Sequence, residues 1–457
     1  MGSARNKGGL RLLAACALWI AVWQAASLML GSKLLLPGPV DTCLSLVRVV
    51  GSAVFLPALW FSFSRVASGF LAAFALGVGL GFAAHRLALV RTLLEPVVLA
   101  FKSIPVACIT VLLLIWVGSR EVSGICVFLM AFPALYLATI EGLAQVDPKV
   151  GEMLAAFGVN GSRRFLAHVW PSVLPYLVAT SRNACGMAWK AGVAAELIGT
   201  PVGSVGERIY QAKILLETAD LFAWTFVVVA VSYLCERAFL WLLQRTGPVS
   251  LRLAVPRRAS RTHAAPEPGA LLVEHGVLGY DGQPVLRDAQ VRLAAGERGV
   301  LGDVSGAGKT TLLHSLAGLL PTLGGTVEAP RALSMVFQEP RLVERLTPCD
   351  NVLLVGTAAT PGEVRSMLLE LLGEDVLTHP VSELSGGQRR RVEIVRAMAH
   401  PSSAVLMDEP FSSLDEESHR LSATFVLRHL GGRTMLVASH APEDVRLLDA
   451  QSLSVAR

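Results

Sequence analysis

A chain of 457 residues is longer than one ordinary domain, so two or three are expected. Only 16% of the residues are charged against 53% hydrophobic, and a mean hydropathy of +0.54 excludes an ordinary soluble protein and points to membrane spans. The net charge of +5 is modest, and the basic residues flank apolar runs, so lipid headgroups explain it better than nucleic acid. Cys16, Cys43, Cys108, Cys126, Cys185, Cys235 and Cys349 are scattered without a CxxC pair, which speaks against a disulfide framework or a cysteine metal site.

Hydrophobicity is concentrated in residues 1–245. Arg5, Lys7 and Arg11 precede an apolar run at 12–30, which reads as a retained span because it is long and no small-residue cleavage site follows. Further spans are expected at 62–84, 103–118, 122–142, 171–199 and 221–243, the third being short and interrupted by Pro96 and Pro105. Six spans with the N-terminus inside put the loops 85–102 and 143–170 inside, with Arg86, Arg91, Lys102, Lys149, Arg163 and Arg164. Arg245, Arg252, Arg257, Arg258 and Arg261 then fall inside too, while Lys33, Arg48, Arg208 and Lys213 remain outside. The expected protein is a multi-pass component of the cytoplasmic (inner or plasma) membrane, with residues 270–457 in the cytoplasm.

The inside loop 145–170 reads as a short helix, a glycine turn at Gly158 and a second short helix, a protruding elbow. Lys190 and Glu196 fall in the fifth span, where ionisable groups are costly and face a cavity or a partner. Six residues turn a helix through about 240°, so the two do not share a face or pair with each other. Both are candidate pathway residues, and two readings stand for Lys190: it faces the pathway and attracts an anionic substrate, or it pairs structurally or snorkels.

Residues 246–269 are rich in Pro, Arg and Ala and read as a linker. From residue 270 the pattern is that of an α/β nucleotide-binding domain. The pattern G-x-x-x-x-G-K-S/T gives a phosphate loop in which Ser305, Gly306, Ala307, Gly308, Lys309, Thr310 and Thr311 present backbone N–H groups. Lys309 would reach the β- and γ-phosphates, and the Thr310 hydroxyl would bind Mg²⁺. One departure stands out: Asp303 occupies the place of the first glycine, where an acid repels polyphosphate unless it is paired or points away.

Residues 384–415, LSGGQRRRVEIVRAMAHPSSAVLMDEPFSSLD, organise the rest. Ser385, Gly386, Gly387 and Gln388 precede a helical pattern carried by Val392, Val395, Met398 and Ala399, a helix start suited to phosphate. His400-Pro401 stops that helix, and an apolar strand then delivers Asp408 and Glu409, one acid suited to Mg²⁺ and one to orienting a water.

These last features resemble the signature and Walker B motifs of ATP-binding cassette (ABC) proteins. The resemblance implies that Tyr280 stacks on adenine and that Gln338 contacts Mg²⁺ and the attacking water from a Q-loop that touches the elbow. It further implies that Asp408 holds Mg²⁺, that Glu409 is the general base, that Asp415 belongs to the D-loop and that His440 contacts the γ-phosphate. The elbow is similar to the coupling loop of ABC importer permeases, with Glu152, Gly158 and Pro171 matching in position. LLPGPVDTCLSL (34–46), FKSIPVACITVLLLIWVG (101–118) and AWKAGVAAELIG (188–199) look like permeases of the nitrate/sulfonate/bicarbonate/taurine importer family. The implied fold is an all-α transmembrane domain (1–245) followed by an α/β P-loop domain (270–457), and the implied cofactors are ATP and Mg²⁺. Because the signature acts on ATP bound to the opposite cassette, a homodimer is expected, with a heterodimer as the variant. A separate extracytoplasmic binding protein would deliver a small solute. The rival readings are a half-transporter exporter, which lacks such an elbow, and a non-transporting membrane signalling complex, against which Glu409 and His440 argue.

Overall fold

The computed structural model describes residues 2–256, 266–304 and 306–455. Ser305 and the centre of the expected linker, 257–265, lie outside the described residues. The chain forms two compact units, one of Met1–Gln145 with Ser172–Thr246 and one of Val146–Pro171 with Gly247–Arg457. The elbow therefore packs with the nucleotide-binding half, although it is inserted between helices of the first unit.

The first unit is helical: α1 (Gly2–Leu30), α2 (Pro39–Val50), α3 (Phe55–Arg86), α4 (Ala88–Ser103), α5 (Val106–Val117) and α6 (Val122–Ala144) precede the elbow. Among the described residues four helices are long and apolar enough to cross a membrane: Leu13–Leu30 within α1, α3, α6 and the long helix Thr218–Ala254. The expected span at 103–118 takes a different form. α4 and α5 meet at 107°, so they make at most one broken span, and the expected loop 85–102 is helical. The bend falls at Ile104-Pro105, both extended (ψ 126° and 134°), because proline crowds its predecessor out of the helical region. Close approach of α3 and α6 depends on small residues: a Cβ on Gly69 would lie 2.1 Å from the Gly124 carbonyl oxygen, and one on Gly81 2.6 Å from Thr139 Cβ.

The elbow consists of α7 (Pro148–Ala156) and α8 (Gly161–Arg164), followed by a π-helical turn, Phe165–Val169, that runs into α9 (Trp170–Gly199). Asp147 caps α7 by accepting from Lys149 N at 2.8 Å, with Pro148 in the first turn where its missing N–H costs nothing. Gly158 ends α7 at φ +65°, and Val159 N donates to Leu154 O at 2.9 Å, a closing bond that needs a left-handed residue between. Asn160 then caps α8 through Arg163 N at 2.9 Å. The first unit resumes in α9, a 30-residue helix carrying Arg182, Lys190 and Glu196, and in α10 (Val205–Ile214) and α11 (Thr218–Ala254); α9 is not among the helices apolar enough to cross a membrane, so the expected span at 171–199 is not met on that measure.

The second unit continues with β1 (Leu271–Tyr280), β2 (Gln283–Leu293), β3 (Arg298–Leu301), α12 (Lys309–Leu316), β4 (Thr322–Glu328) and β5 (Leu333–Val336). After these come α13 (Pro348–Leu354), α14 (Pro361–Leu369), α15 (Gly386–Ala399), β6 (Ala404–Asp408), α16 (Glu416–His429), β7 (Thr434–Ala438), α17 (Glu443–Leu447) and β8 (Gln451–Leu453). Strands β2-β1-β4 form an antiparallel sheet, and β5-β6-β7-β3-β8 a parallel one. Strands β5, β6 and β7 are buried along their whole length, as apolar parallel strands covered on both faces should be. Their core also takes in Val150, Met153, Leu154 and Phe157 of the elbow.

Candidate active site

The carboxyl ends of β3, β5, β6 and β7 lead into 302–308, Phe337, Glu409 and Ser439 respectively, and parallel α/β sheets bind ligands beyond those ends. The loop after β3 turns at Gly306 (φ +81°) and Gly308 (φ +85°), and a Cβ on Gly308 would lie 2.6 Å from Leu286 of β2. Both backbone conformation and space therefore demand glycine at 308. The loop feeds α12, whose first N–H groups are unsatisfied within the helix and favour an anion.

Lys309 is buried, and its Nζ donates to Asp303 O at 2.5 Å and lies 3.1 Å from His440 Nδ1. An ammonium only donates, so His440 Nδ1 accepts and the ring proton sits on Nε2. That nitrogen is 3.3 Å from Glu409 Oε1, a close contact that falls short of a hydrogen bond. Glu409 itself takes the left-handed backbone (φ +49°), held by its N–H to Ala438 O at 2.9 Å. Strain of this kind in a non-glycine residue clusters at functional positions. Burial pushes the Glu409 carboxyl above its ordinary range, opposed by His440 and Lys309.

Asp408 is 1% exposed, and its Oδ2 has no hydrogen-bond partner among the described residues. Burial raises its pKa, countered first by a hydrogen bond from the Thr310 hydroxyl and then by Arg390 and Lys309. An orphaned carboxylate oxygen beside a threonine hydroxyl at a phosphate loop suits a hard cation with oxygen ligands, so these residues fit Mg²⁺.

Thus Lys309, Thr310, Asp408, Glu409 and His440 come together. Tyr280, at the end of β1, is 42% exposed. Gln338 has an exposed side chain, and its carbonyl is held by Arg390. Gly306, Ala307 and Thr311 lie in the loop and α12 as expected, whereas Ser305 lies outside the described residues.

Ser385 caps α15 in a reciprocal box with Gln388, and no hydrogen bond or ion pair joins Ser385, Gly386, Gly387 or Gln388 to the phosphate loop among the described residues. Asp415 caps α16 by accepting from Ser418 N at 2.9 Å, a bond that holds its carboxyl below the usual range. Its neighbour Leu414 lies 3.5 Å from where a Gly387 Cβ would stand.

Several side chains that matter here carried no motif. Arg390, Glu393 and Arg396, all at most 1% exposed, form a triad on α15: Glu393 accepts from Arg396 at 3.0 Å, Arg390 at 3.2 Å and Arg341 N at 2.7 Å. Arg390 also donates to the Phe337 and Gln338 carbonyls, and Arg396 to Arg341 O at 2.6 Å. The signature helix thereby grips the loop after β5. Charges spaced three apart on one helix were the available signal, but such a run also reads as a solvated face.

The same loop meets the elbow. Arg341 pairs with Glu152 at 2.7 Å, and Lys149 pairs with Glu339, whose carboxyl that hydrogen bond holds low. Phe157 lies edge-on to His400 (5.1 Å, 83°) and 5.1 Å under the Arg396 guanidinium. In the first unit Lys190 is exposed and forms no hydrogen bond or ion pair among the described residues. Glu196 is fully buried, its Oε2 accepting from Ser62 Oγ at 2.6 Å and Gly206 N at 3.2 Å. The two do not pair.

Comparison with known proteins gives both halves a family. The family described as "ABC transporter" matches residues 286–412, and "Binding-protein-dependent transport system inner membrane component" matches 73–246. A protein of Bacillus subtilis (strain 168) named for aliphatic sulfonate transport as a permease is 30% identical over 243 residues, 53% of this chain and 87% of the relative. An aliphatic sulfonates import ATP-binding protein of Nocardia farcinica is 35% identical over 179 residues, covering 38% of this chain and 72% of the relative. A thiamine import ATP-binding protein of Salmonella typhimurium is 34% identical over 183 residues, 35% of this chain and 77% of the relative. A membrane component and an ATP-hydrolysing cassette thus share one polypeptide, and the chain belongs to the ATP-binding cassette importers.

Proposed function

We propose that the chain imports a small anionic or heterocyclic solute across the cytoplasmic membrane. It would act as a homodimer fed by a separate extracytoplasmic binding protein, with the cassette in the cytoplasm. The observation that carries this reading is the pair Glu152–Arg341, which ties an importer-type elbow to the loop that follows β5. A half-exporter would need long helices reaching into the cytoplasm in place of that elbow. The sulfonate and thiamine relatives support an anionic or heterocyclic cargo. Lys190, exposed on α9, is the proposed pathway cation, and Lys190→Met should then lower uptake.

At the ATP site Tyr280 stacks on adenine. The N–H groups of Ser305, Gly306, Ala307, Gly308, Thr310 and Thr311, with Lys309, hold the phosphates. Thr310, Asp408 and Gln338 are the proposed holders of Mg²⁺, which supplies charge neutralisation on the phosphate oxygens when bound. Glu409 removes a proton from water as the water oxygen bonds to the γ-phosphorus; the bond to the bridging oxygen breaks and ADP leaves. His440 donates to the γ-phosphate, and Ser385, Gly386, Gly387 and Gln388 complete the site of the partner copy.

The test is uptake of labelled alkanesulfonates, taurine, nitrate and thiamine precursors by the source organism, with the gene intact, deleted, or carrying Glu409→Gln. Loss of accumulation of one solute class in both altered strains is the expected result. Greater accumulation in the deletion strain would mark an exporter and overturn the proposal.

A further inference from the structure

Asp303 stands where the phosphate-loop pattern has a glycine, and the structure gives its carboxylate specific partners. One oxygen accepts from Ser454 Oγ at 2.7 Å and the other from Val455 N at 2.7 Å. The register explains why. β3 and β8 run parallel with Leu301 opposite Leu453, and Gly302 N donates to Leu453 O at 3.3 Å. β8 is the edge strand, and the ladder stops there. Asp303 falls one step beyond, and its side chain takes the N–H that the strand can no longer pair. Its main chain has a separate task, since the Asp303 carbonyl accepts from Lys309 Nζ at 2.5 Å.

We infer that Ser454 and the Val455 N–H are positioning groups of the ATP site: they hold the Asp303 carboxylate against the end of β8 and so keep its charge off the phosphates. This rests on the phosphate-loop reading above. An acid loosed beside a triphosphate weakens binding on the order of tenfold, and the effect is electrostatic, so salt reduces it. The clamp is what allows an aspartate at a position the loop pattern gives to glycine.

The experiment measures ATP binding to the full chain in lipid nanodiscs, in a Glu409→Gln background that prevents turnover. Ser454→Ala should raise the Kd for ATP several-fold, and Ser454→Ala/Val455→Pro about tenfold, with the penalty shrinking as salt rises. Adding Asp303→Gly should abolish the penalty. A Kd untouched by the tail substitutions overturns the inference. So does a penalty that persists with Asp303→Gly, because the effect would then come from damage to β8. Lys309→Ala tests the underlying reading separately: it should remove binding, and if it does not, the phosphate-loop assignment fails whatever the tail variants do.

Discussion

Glu152 of α7 accepts from Arg341 Nη1 at 2.7 Å, and the same guanidinium lies 4.0 Å over the Phe337 ring. Arg341 is also bound through its backbone: its N–H goes to Glu393 and its carbonyl to Arg396. A route of direct contacts therefore runs from the elbow, through the loop after β5, to the signature helix α15. In the proposed two-copy arrangement, movement of α15 would be felt at Glu152.

The first prediction separates coupling from stability. Glu152 is half-exposed, and such an ion pair is worth about 0–1 kcal/mol, so Glu152→Ala should hardly change the unfolding midpoint. Uptake per ATP hydrolysed should nonetheless fall several-fold while basal ATPase stays within about twofold. Parallel uptake and phosphate-release assays check this, and an unchanged ratio would refute the route.

The buried triad behaves differently. Glu393→Ala strands Arg390 and Arg396 without their counter-charge, at a cost of about 3–5 kcal/mol. Replacing all three residues by apolar side chains of similar volume should cost less than the single substitution. Denaturant unfolding of the three proteins in nanodiscs gives the ranking.

Acid should weaken the elbow's seat. Burial pushes His400 from 6.5 down to about 4, with its ring 2.9 Å from Gly356 O and edge-on to Phe157. In the fold it stays neutral over that interval, while in the unfolded chain it takes up a proton. Stability from this group is therefore complete above pH 6.5 and declines as pH falls towards 4, by at most about 3 kcal/mol. His400→Gln should flatten the pH dependence of the unfolding midpoint across that window. Equal slopes for the two proteins would contradict the assignment.

A second pH effect concerns the rate. Burial raises the Glu409 pKa, and the neighbouring His440 and Lys309 oppose the rise. As the proposed base it must be ionised, so the acid limb of ATPase activity should lie at higher pH than for an exposed glutamate. His440→Ala removes the Nε2–H that faces the Glu409 carboxylate at 3.3 Å and should move that limb higher still, besides lowering the rate. A pH–rate profile in which the limb stays put would argue against Glu409 as the base.

What the sequence disclosed is what rests on local chemistry. A hydroxyl and two glycines before a helical pattern place Ser385 at the cap of α15, and an apolar run before two acids gives the buried strand β6. Gly158 likewise ends α7 through a backbone rule. The bend at Ile104-Pro105 was half legible: Pro105 marks an interruption, but only backbone geometry shows the turn of 107°. Least legible were pairings across long separations. Asp303 reads as a defect until its bond to Val455, 152 residues away, is seen. Glu152 meets Arg341 across 189 residues, and nothing near either residue announces the other.

The most direct test of the account is Mg²⁺-dependent phosphate release by the full chain in lipid nanodiscs, comparing the natural sequence with Glu409→Gln and Lys309→Ala, alongside ATP binding. The natural chain should turn over, Glu409→Gln should bind ATP without turnover, and Lys309→Ala should do neither. Phosphate release by Glu409→Gln at the natural rate would contradict it.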